Sequence, residues 1–147
     1  MLFLREDDIK DFNKTIGKWY DKNPIVALFL AVAAFEWTAR RVLLAVTSKS
    51  TLETRKALGC VLDIDRYSEE WKVVNCSESV ENLFVAEKFS WDKIVRDYKK
   101  ALAYKVESSP DKNDSIREIV IVLFYAIMIF FRFAENKKLD LNNYIVH

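Results

Sequence analysis

Apolar residues recur at three- and four-residue spacing along most of the chain, which is the period of an amphipathic helix. Over residues 6–20 they share one face: Ile9, Phe12, Ile16, Trp19 and Tyr20. Residues 25–35 are apolar without interruption, and polar positions return from Glu36 onward. The pattern predicts an amphipathic first helix and then a largely buried second helix over 25–46, with Pro24 at its start.

The middle of the chain is harder to divide, because short apolar stretches alternate with polar linkers. A helix is predicted over 52–62, and a shorter one around Tyr67 and Trp71. A further helix is predicted to end at a tight corner before Ser90. The Ser90 hydroxyl is suited to accept from N–H groups of the next turn, so this residue is the predicted N-cap of a helix over 91–106.

The last third of the chain contains its longest apolar run, residues 119–131. A polar loop over 107–114 precedes this run, and Ser115 then begins a capping-box pattern. The run predicts a central, buried helix near 116–134. The prediction is a bundle of about seven helices: the seven named so far, with a short additional helix over 139–146.

The composition agrees with a helical protein. Glycine and proline occur only twice each in 147 residues, whereas sheet proteins need such residues at most of their turns. The chain is 51% apolar and has the length of one domain, so we predict a single-domain all-α bundle over residues 1–147.

The charge balance argues against two classes of partner. The chain has 23 basic and 22 acidic residues, without the basic excess that nucleic-acid binding requires. Neither apolar run reaches the roughly 20 residues needed to span a bilayer, so no transmembrane anchor is predicted. Charged residues directly follow the opening Met1–Leu4 segment, which argues against a signal peptide. We expect a cytoplasmic protein.

No catalytic or metal-binding set is apparent in the sequence. The one histidine is the final residue, His147, and the two glycines are isolated rather than part of a phosphate-binding loop. Cys60 and Cys76 lack metal-site spacing, and we expect two reduced thiols, with a disulfide as the alternative. The sequence therefore predicts a protein that is not an enzyme and has no cofactor or metal.

Residues 84–95 resemble the first homology motif of the Bcl-2 family of apoptosis regulators. That motif reads apolar-apolar-x-acid-x-apolar-Asn-Trp-Gly-Arg-Ile-Val. Seven positions match it: Phe84, Val85, Glu87, Phe89, Trp91, Ile94 and Val95. Ser90, Asp92 and Lys93 stand in place of the motif's Asn, Gly and Arg. Two fainter resemblances are to the BH3 motif at 30–37 and to the second homology motif at 133–140.

The resemblance implies a Bcl-2-like fold that binds BH3 helices of pro-apoptotic proteins in a surface groove. Short, divergent members of this kind resemble viral homologues, which sequester such partners and are anti-apoptotic. The implied place is the host cytoplasm or the periphery of mitochondria, and a homodimer is compatible with it. The groove-lining residues expected from the motif are Phe84, Val85, Phe89, Ser90, Asp92, Lys93, Ile94 and Tyr98.

Three positions of the motif carry specific expectations. Lys93 takes the place of the arginine that pairs with the invariant aspartate of the BH3 helix, and the alternative is an ordinary exposed lysine in the first turn of its helix. Asp92 adds bulk and negative charge where the family has glycine, so we expect a narrower range of ligands. Trp91 is expected in the core rather than in the groove.

The alternative is a non-enzymatic helical adaptor or scaffold unrelated to apoptosis. Phe35, Glu36 and Arg40, followed by a late helix that ends in charged residues, resemble HEPN ribonuclease domains. Those enzymes require a histidine four to six residues after an arginine, and Arg132 has none. On this alternative the chain is an inactive member of that scaffold.

Overall fold

The computed structural model describes residues 6–46, 62–74, 79–103 and 110–141. Within these ranges the chain forms six helices and no strand. In chain order they are α1 (Glu6–Lys22), α2 (Pro24–Ala45), α3 (Ile64–Val74), α4 (Val80–Ala86), α5 (Trp91–Ala103) and α6 (Pro110–Asn136). The prediction of an all-α protein is therefore confirmed.

Two of the predicted helices fall largely outside the described residues. Of the segment at 52–62, only Leu62 is described, and it is not helical. Of the segment at 139–146, residues 139–141 are described and are likewise not helical. The count of about seven helices, and the Bcl-2-like arrangement that the resemblance implies, therefore stay predictions.

The core is organised around α6. This helix and α2 form the most extensive helix pair, and α1 packs along α2. The ring of Phe130 on α6 lies 5.2–6.4 Å, centroid to centroid, from five other rings. These rings belong to α2, α3, α4 and α5: Phe35, Tyr67, Trp71, Phe84 and Trp91. The apolar run that predicted a central helix thus supplies the residue that joins four other helices.

The start of α6 differs from the prediction. The helix begins at Pro110, inside the segment expected to be a polar loop, and continues through Ser115. Proline suits the first helical position, because its fixed φ is helical and its missing N–H has no partner there in any case. The predicted capping box at Ser115 is therefore wrong. Its second member, Glu118, instead makes an ion pair with α5.

Helices α4 and α6 end in the same way. The N–H of Phe89 donates to the carbonyl of Phe84 at 2.8 Å, and that of Leu139 donates to the carbonyl of Ala134 at 2.9 Å. Bonds of this span belong to Schellman motifs, whose preceding residue is left-handed and usually glycine. Here that residue is lysine, since Lys88 has φ 59° and Lys138 has φ 55°. Both helix ends therefore hold a side chain in an unfavourable backbone conformation.

Candidate functional site

The corner between α4 and α5 has the local structure that the sequence predicts. Helix α4 ends at Ala86, and α5 begins at Trp91. The hydroxyl of Ser90 accepts a hydrogen bond from the N–H of Lys93 at 3.2 Å, so its role as N-cap is confirmed. Asp92 is exposed in the first turn of α5, where the positive end of the helix dipole favours a carboxylate.

Trp91 anchors this corner in the core, as expected. Its side chain is 2% exposed, and its ring centroid lies 4.9 Å from that of Phe84. Its Nε1–H donates to the hydroxyl oxygen of Ser68 on α3 at 2.9 Å. The indole thus packs against α4 and also satisfies its polar atom, which is the usual requirement for a buried tryptophan.

The eight residues expected to line a groove divide into two groups. Phe84, Ile94 and Tyr98 are fully buried and contribute to the core rather than to an accessible surface. The other five are exposed or partly exposed: Val85, Phe89, Ser90, Asp92 and Lys93. An apolar stripe at helical spacing marks a buried face, and the sequence alone does not separate burial by the chain's own helices from burial by a partner.

Lys93 is engaged within the chain. Its Nζ lies 3.0 Å from Oε1 of Glu118 on α6, and the two side chains are 38% and 67% exposed. The hydrogen bond and the positive charge of Lys93 lower the pKa of the Glu118 carboxyl. A carboxylate from a partner would therefore compete with Glu118 for this ammonium group.

Three contacts hold the corner against one face of α6. Glu87 pairs with an α6 arginine at 3.3 Å, and the ring centroid of Phe89 lies 5.9 Å from that of an α6 tyrosine. The third contact is the Lys93 ion pair. The α6 partners are seven positions apart, two helical turns, and so share one stripe: Glu118, Tyr125 and Arg132.

On the other side of this stripe, α1 and α6 enclose an apolar cleft of about 280 Å³. Its walls are formed by seven residues: Ile16, Gly17, Tyr20, Val120, Ile121, Phe124 and Tyr125. Ile121 and Tyr125 are 41% and 49% exposed, which is high for large apolar side chains. Tyr125 faces both this α1–α6 cleft and Phe89 of the corner.

Sequence reasoning missed the α1–α6 cleft, although one signal was present. A helix with thirteen consecutive apolar residues has more apolar surface than its core-facing side uses. Some of residues 119–131 therefore had to face outward or meet another element. Gly17 gives no such signal, because whether a glycine on α1 borders a cleft depends on how far α1 lies from α6.

Arg117 links α6 to the C-terminal end of α1, next to Tyr20 of the cleft. Its Nε and Nη2 each donate to backbone carbonyls of α1, those of Tyr20 and Asp21, at 3.3 Å. Its Nη1 lies 3.6 Å from a carboxylate oxygen of Asp114. The carbonyls at a helix C-terminus lack helical partners, so the guanidinium satisfies two of them and fixes α6 to the end of α1.

A second polar cluster lies on α2, at Glu36 and Arg40, within or next to the segment at 30–37 that resembles the BH3 motif. Oε2 of Glu36 accepts from the hydroxyl of Tyr98 at 2.7 Å and from the N–H of Leu62 at 3.3 Å. Arg40 lies 3.6 Å from the same oxygen. Burial is the larger cause that raises the pKa of Tyr98, and the hydrogen bond to Glu36 raises it further. This cluster joins α2, α5 and the segment before α3.

Several wider observations bear on the site. Among the described residues, no three His, Cys, Asp or Glu side chains group together in a way that would hold a metal ion. None of the described helices combines the length and apolar character needed to cross a membrane. Cys60, Cys76 and His147 lie outside the described residues. Comparison of the chain with protein-family models, curated proteins and solved structures gives no match.

Proposed function

We propose that the protein is a non-enzymatic regulator of apoptosis that binds the BH3 helix of a pro-apoptotic partner and so acts against cell death. The proposal rests on the resemblance of residues 84–95 to the Bcl-2 motif. It is supported by the surface around that motif, which we call the corner surface. This surface consists of Val85, Phe89, Asp92 and Lys93 with Glu118 and Tyr125 of α6.

The corner surface has the apolar character that an amphipathic helix requires. Val85 is 66% exposed, and Tyr125 and Phe89 are partly exposed beside each other. A partner helix presents apolar anchors at three- and four-residue spacing, and each Å² of apolar area that it covers stabilises the complex by roughly 25 cal/mol before the cost of association. The adjacent rings of Phe89 and Tyr125 provide a site for such anchors, and Val85 adds an exposed apolar side chain on α4.

Lys93 provides the charge that a BH3 helix with an invariant aspartate requires. Because the ammonium is partly exposed and pairs with the exposed Glu118, a partner carboxylate can replace Glu118 without leaving a buried charge unpaired. Lysine acts as a point charge without the bidentate geometry of arginine, so this contact is expected to be less selective in orientation.

The buried residues of the motif have a different role in this proposal. Phe84, Ile94 and Tyr98 support the corner from within the core, and the partner contacts the residues above them. The binding surface is therefore shallower than a groove lined by all eight residues. We expect affinity to depend on Val85, Phe89, Lys93 and Tyr125.

The experiment is a calorimetric titration of the full chain with a panel of BH3 peptides. Lys93→Ala is expected to weaken binding about two- to fivefold, the effect of a partly exposed charge pair. Glu118→Gln removes the competing carboxylate and is expected to preserve or strengthen binding. Lys99→Ala is the matched control, because Lys99 is on the same helix and pairs with Asp65 at 2.7 Å, away from the motif.

The alternative function is that of a helical adaptor or scaffold. It is favoured by the internal use of Glu36, which binds Tyr98 and Leu62 rather than facing a partner. A folded monomer that binds none of the BH3 peptides would support this alternative. The cytoplasmic or mitochondrial location and the homodimer remain predictions from the sequence.

A further inference from the structure

The α1–α6 cleft has properties that the proposed BH3 contact does not use. It lies between the faces of two helices, whereas the motif residues lie on α4 and α5. Its volume of about 280 Å³ is close to the lower end of the range for small-molecule sites. The cleft is large enough for a compact molecule but too small for most drug-sized ones.

Gly17 borders open space in the wall of the cleft. A Cβ atom placed on this residue would meet nothing within 4 Å, so packing does not require a glycine here. Its backbone is helical and outside the left-handed region, so the conformation does not require one either. Glycine destabilises a helix interior relative to alanine. A longer side chain at this position therefore has room to extend into that open space.

The chemistry of the walls specifies the kind of molecule that fits. None of the seven lining residues has a charged side chain, and two of them, Tyr20 and Tyr125, have a hydroxyl group. The nearby cation, Arg117, already has all three of its guanidinium nitrogens in contact with α1 carbonyls or with Asp114. A charged head group inside the cleft would lose hydration without gaining an oppositely charged partner from the seven lining residues.

We propose that the α1–α6 cleft is a binding site for a small, uncharged, apolar molecule such as a fused aromatic ring or a short alkyl chain. The ligand packs over Gly17, between Tyr20 and Phe124, and covers the exposed faces of Ile121 and Tyr125. This site shares Tyr125 with the corner surface but does not include Lys93. Its test uses Gly17 and a dye rather than Lys93 and a peptide, so either proposal can fail while the other holds.

The test is fluorescence titration of the full chain with N-phenyl-1-naphthylamine, an uncharged dye that brightens in apolar surroundings. We expect saturable binding of one molecule per chain. Gly17→Leu fills the open space and is expected to weaken binding by about tenfold or more. Ala33→Leu adds the same side chain at an exposed position of α2 and is expected to leave binding unchanged. Circular dichroism checks that both variants are folded.

Competition with the dye tests the charge preference. Naphthalene is expected to displace the dye at lower concentration than 1-naphthoate or 1-naphthylmethylammonium. Stronger displacement by either ion would overturn the proposal, as would equal dye binding by Gly17→Leu and wild type. Sedimentation provides a further test, since a wild-type dimer that Gly17→Leu converts to monomer would show that a second copy of the chain occupies the cleft.

Discussion

The Nζ atom of Lys93 lies 3.0 Å from Oε1 of Glu118 and so joins the first turn of α5 to the exposed face of α6. In the resemblance to the Bcl-2 motif, this same ammonium receives the aspartate of a partner helix. The ion pair therefore connects two properties that can be measured separately, the stability of the free protein and its affinity for a peptide.

The Lys93–Glu118 ion pair should stabilise the folded protein at neutral pH but not at strongly acidic pH. The pKa of Glu118 is lowered in the folded state by Lys93, so the pair stabilises the fold above the ordinary carboxyl value of 4.5. This contribution is lost as the pH falls through the lowered folded value. In urea denaturation, we expect Glu118→Gln to have a lower free energy of unfolding than wild type at neutral pH. The difference is expected to shrink below about pH 4.

Lys93→Ala provides the matched comparison for that prediction. It should lose the same pH-dependent part of the stability, because it removes the other member of the pair. A difference between wild type and Glu118→Gln that stays constant down to low pH would show that the carboxylate does not act through Lys93.

Asp92 should restrict the range of peptides that bind. It is exposed at the start of α5, next to the lysine proposed to hold the partner's aspartate. Asp92→Gly removes both bulk and negative charge and is expected to broaden binding across a panel of BH3 peptides, measured by calorimetry. Asp92→Ala removes the charge and part of the bulk. If only the glycine variant binds a broader range of peptides, the partner helix approaches the α5 backbone closely at this residue. No broadening with either variant would contradict the prediction.

Phe130 should be among the most sensitive core positions. Its ring lies within 6.4 Å of five other aromatic rings from four helices. Phe130→Ala is expected to cost about 3–5 kcal/mol, through lost burial and the cavity that remains. Phe29→Ala is the control, because Phe29 is 58% exposed on α2 and its loss should change stability by less than about 0.5 kcal/mol. If urea denaturation gave similar losses in the free energy of unfolding for the two variants, this account of the core would be contradicted.

The two left-handed lysines offer a prediction in the opposite direction. Lys88→Gly and Lys138→Gly relieve the steric conflict of a side chain at positive φ, and each is expected to raise the free energy of unfolding by about 1 kcal/mol. Lys137→Gly is the control, since this neighbour is exposed in the same turn but lacks a positive φ. A gain from the control equal to that from Lys138→Gly would show that the backbone conformation is not the cause.

Local features of the fold were predictable from the sequence because their causes lie within a few residues. The pattern that begins at Trp91 predicts Ser90 as a cap, and Pro24 predicts the start of α2; both agree with the structure. The sequence predicts the start of α6 too late, because it contains two valid start signals, Pro110 and Ser115. The structure shows that the proline is used.

Features that depend on distant elements were not predictable in the same way. The sequence predicts Ile94 and Tyr98 in a partner groove, whereas both are fully buried within the chain. Apolar spacing on α5 marks a face that must be covered but does not show whether other helices of the chain or a partner cover it. The α1–α6 cleft is lined by residues of two helices, such as Gly17 and Val120, that lie about a hundred positions apart in the sequence. Its signal in the sequence, an excess of apolar residues on α6, did not identify a location.

The most direct test of the proposed function is a double-mutant cycle on the strongest-binding BH3 peptide. Calorimetry would compare Lys93→Ala, replacement of the peptide's invariant aspartate by alanine, and both changes together. The account predicts that the two losses overlap, with a coupling of up to about 1 kcal/mol for a partly exposed pair. Additive losses, or no binding by any peptide to the folded protein, would contradict the proposal that Lys93 receives a BH3 helix.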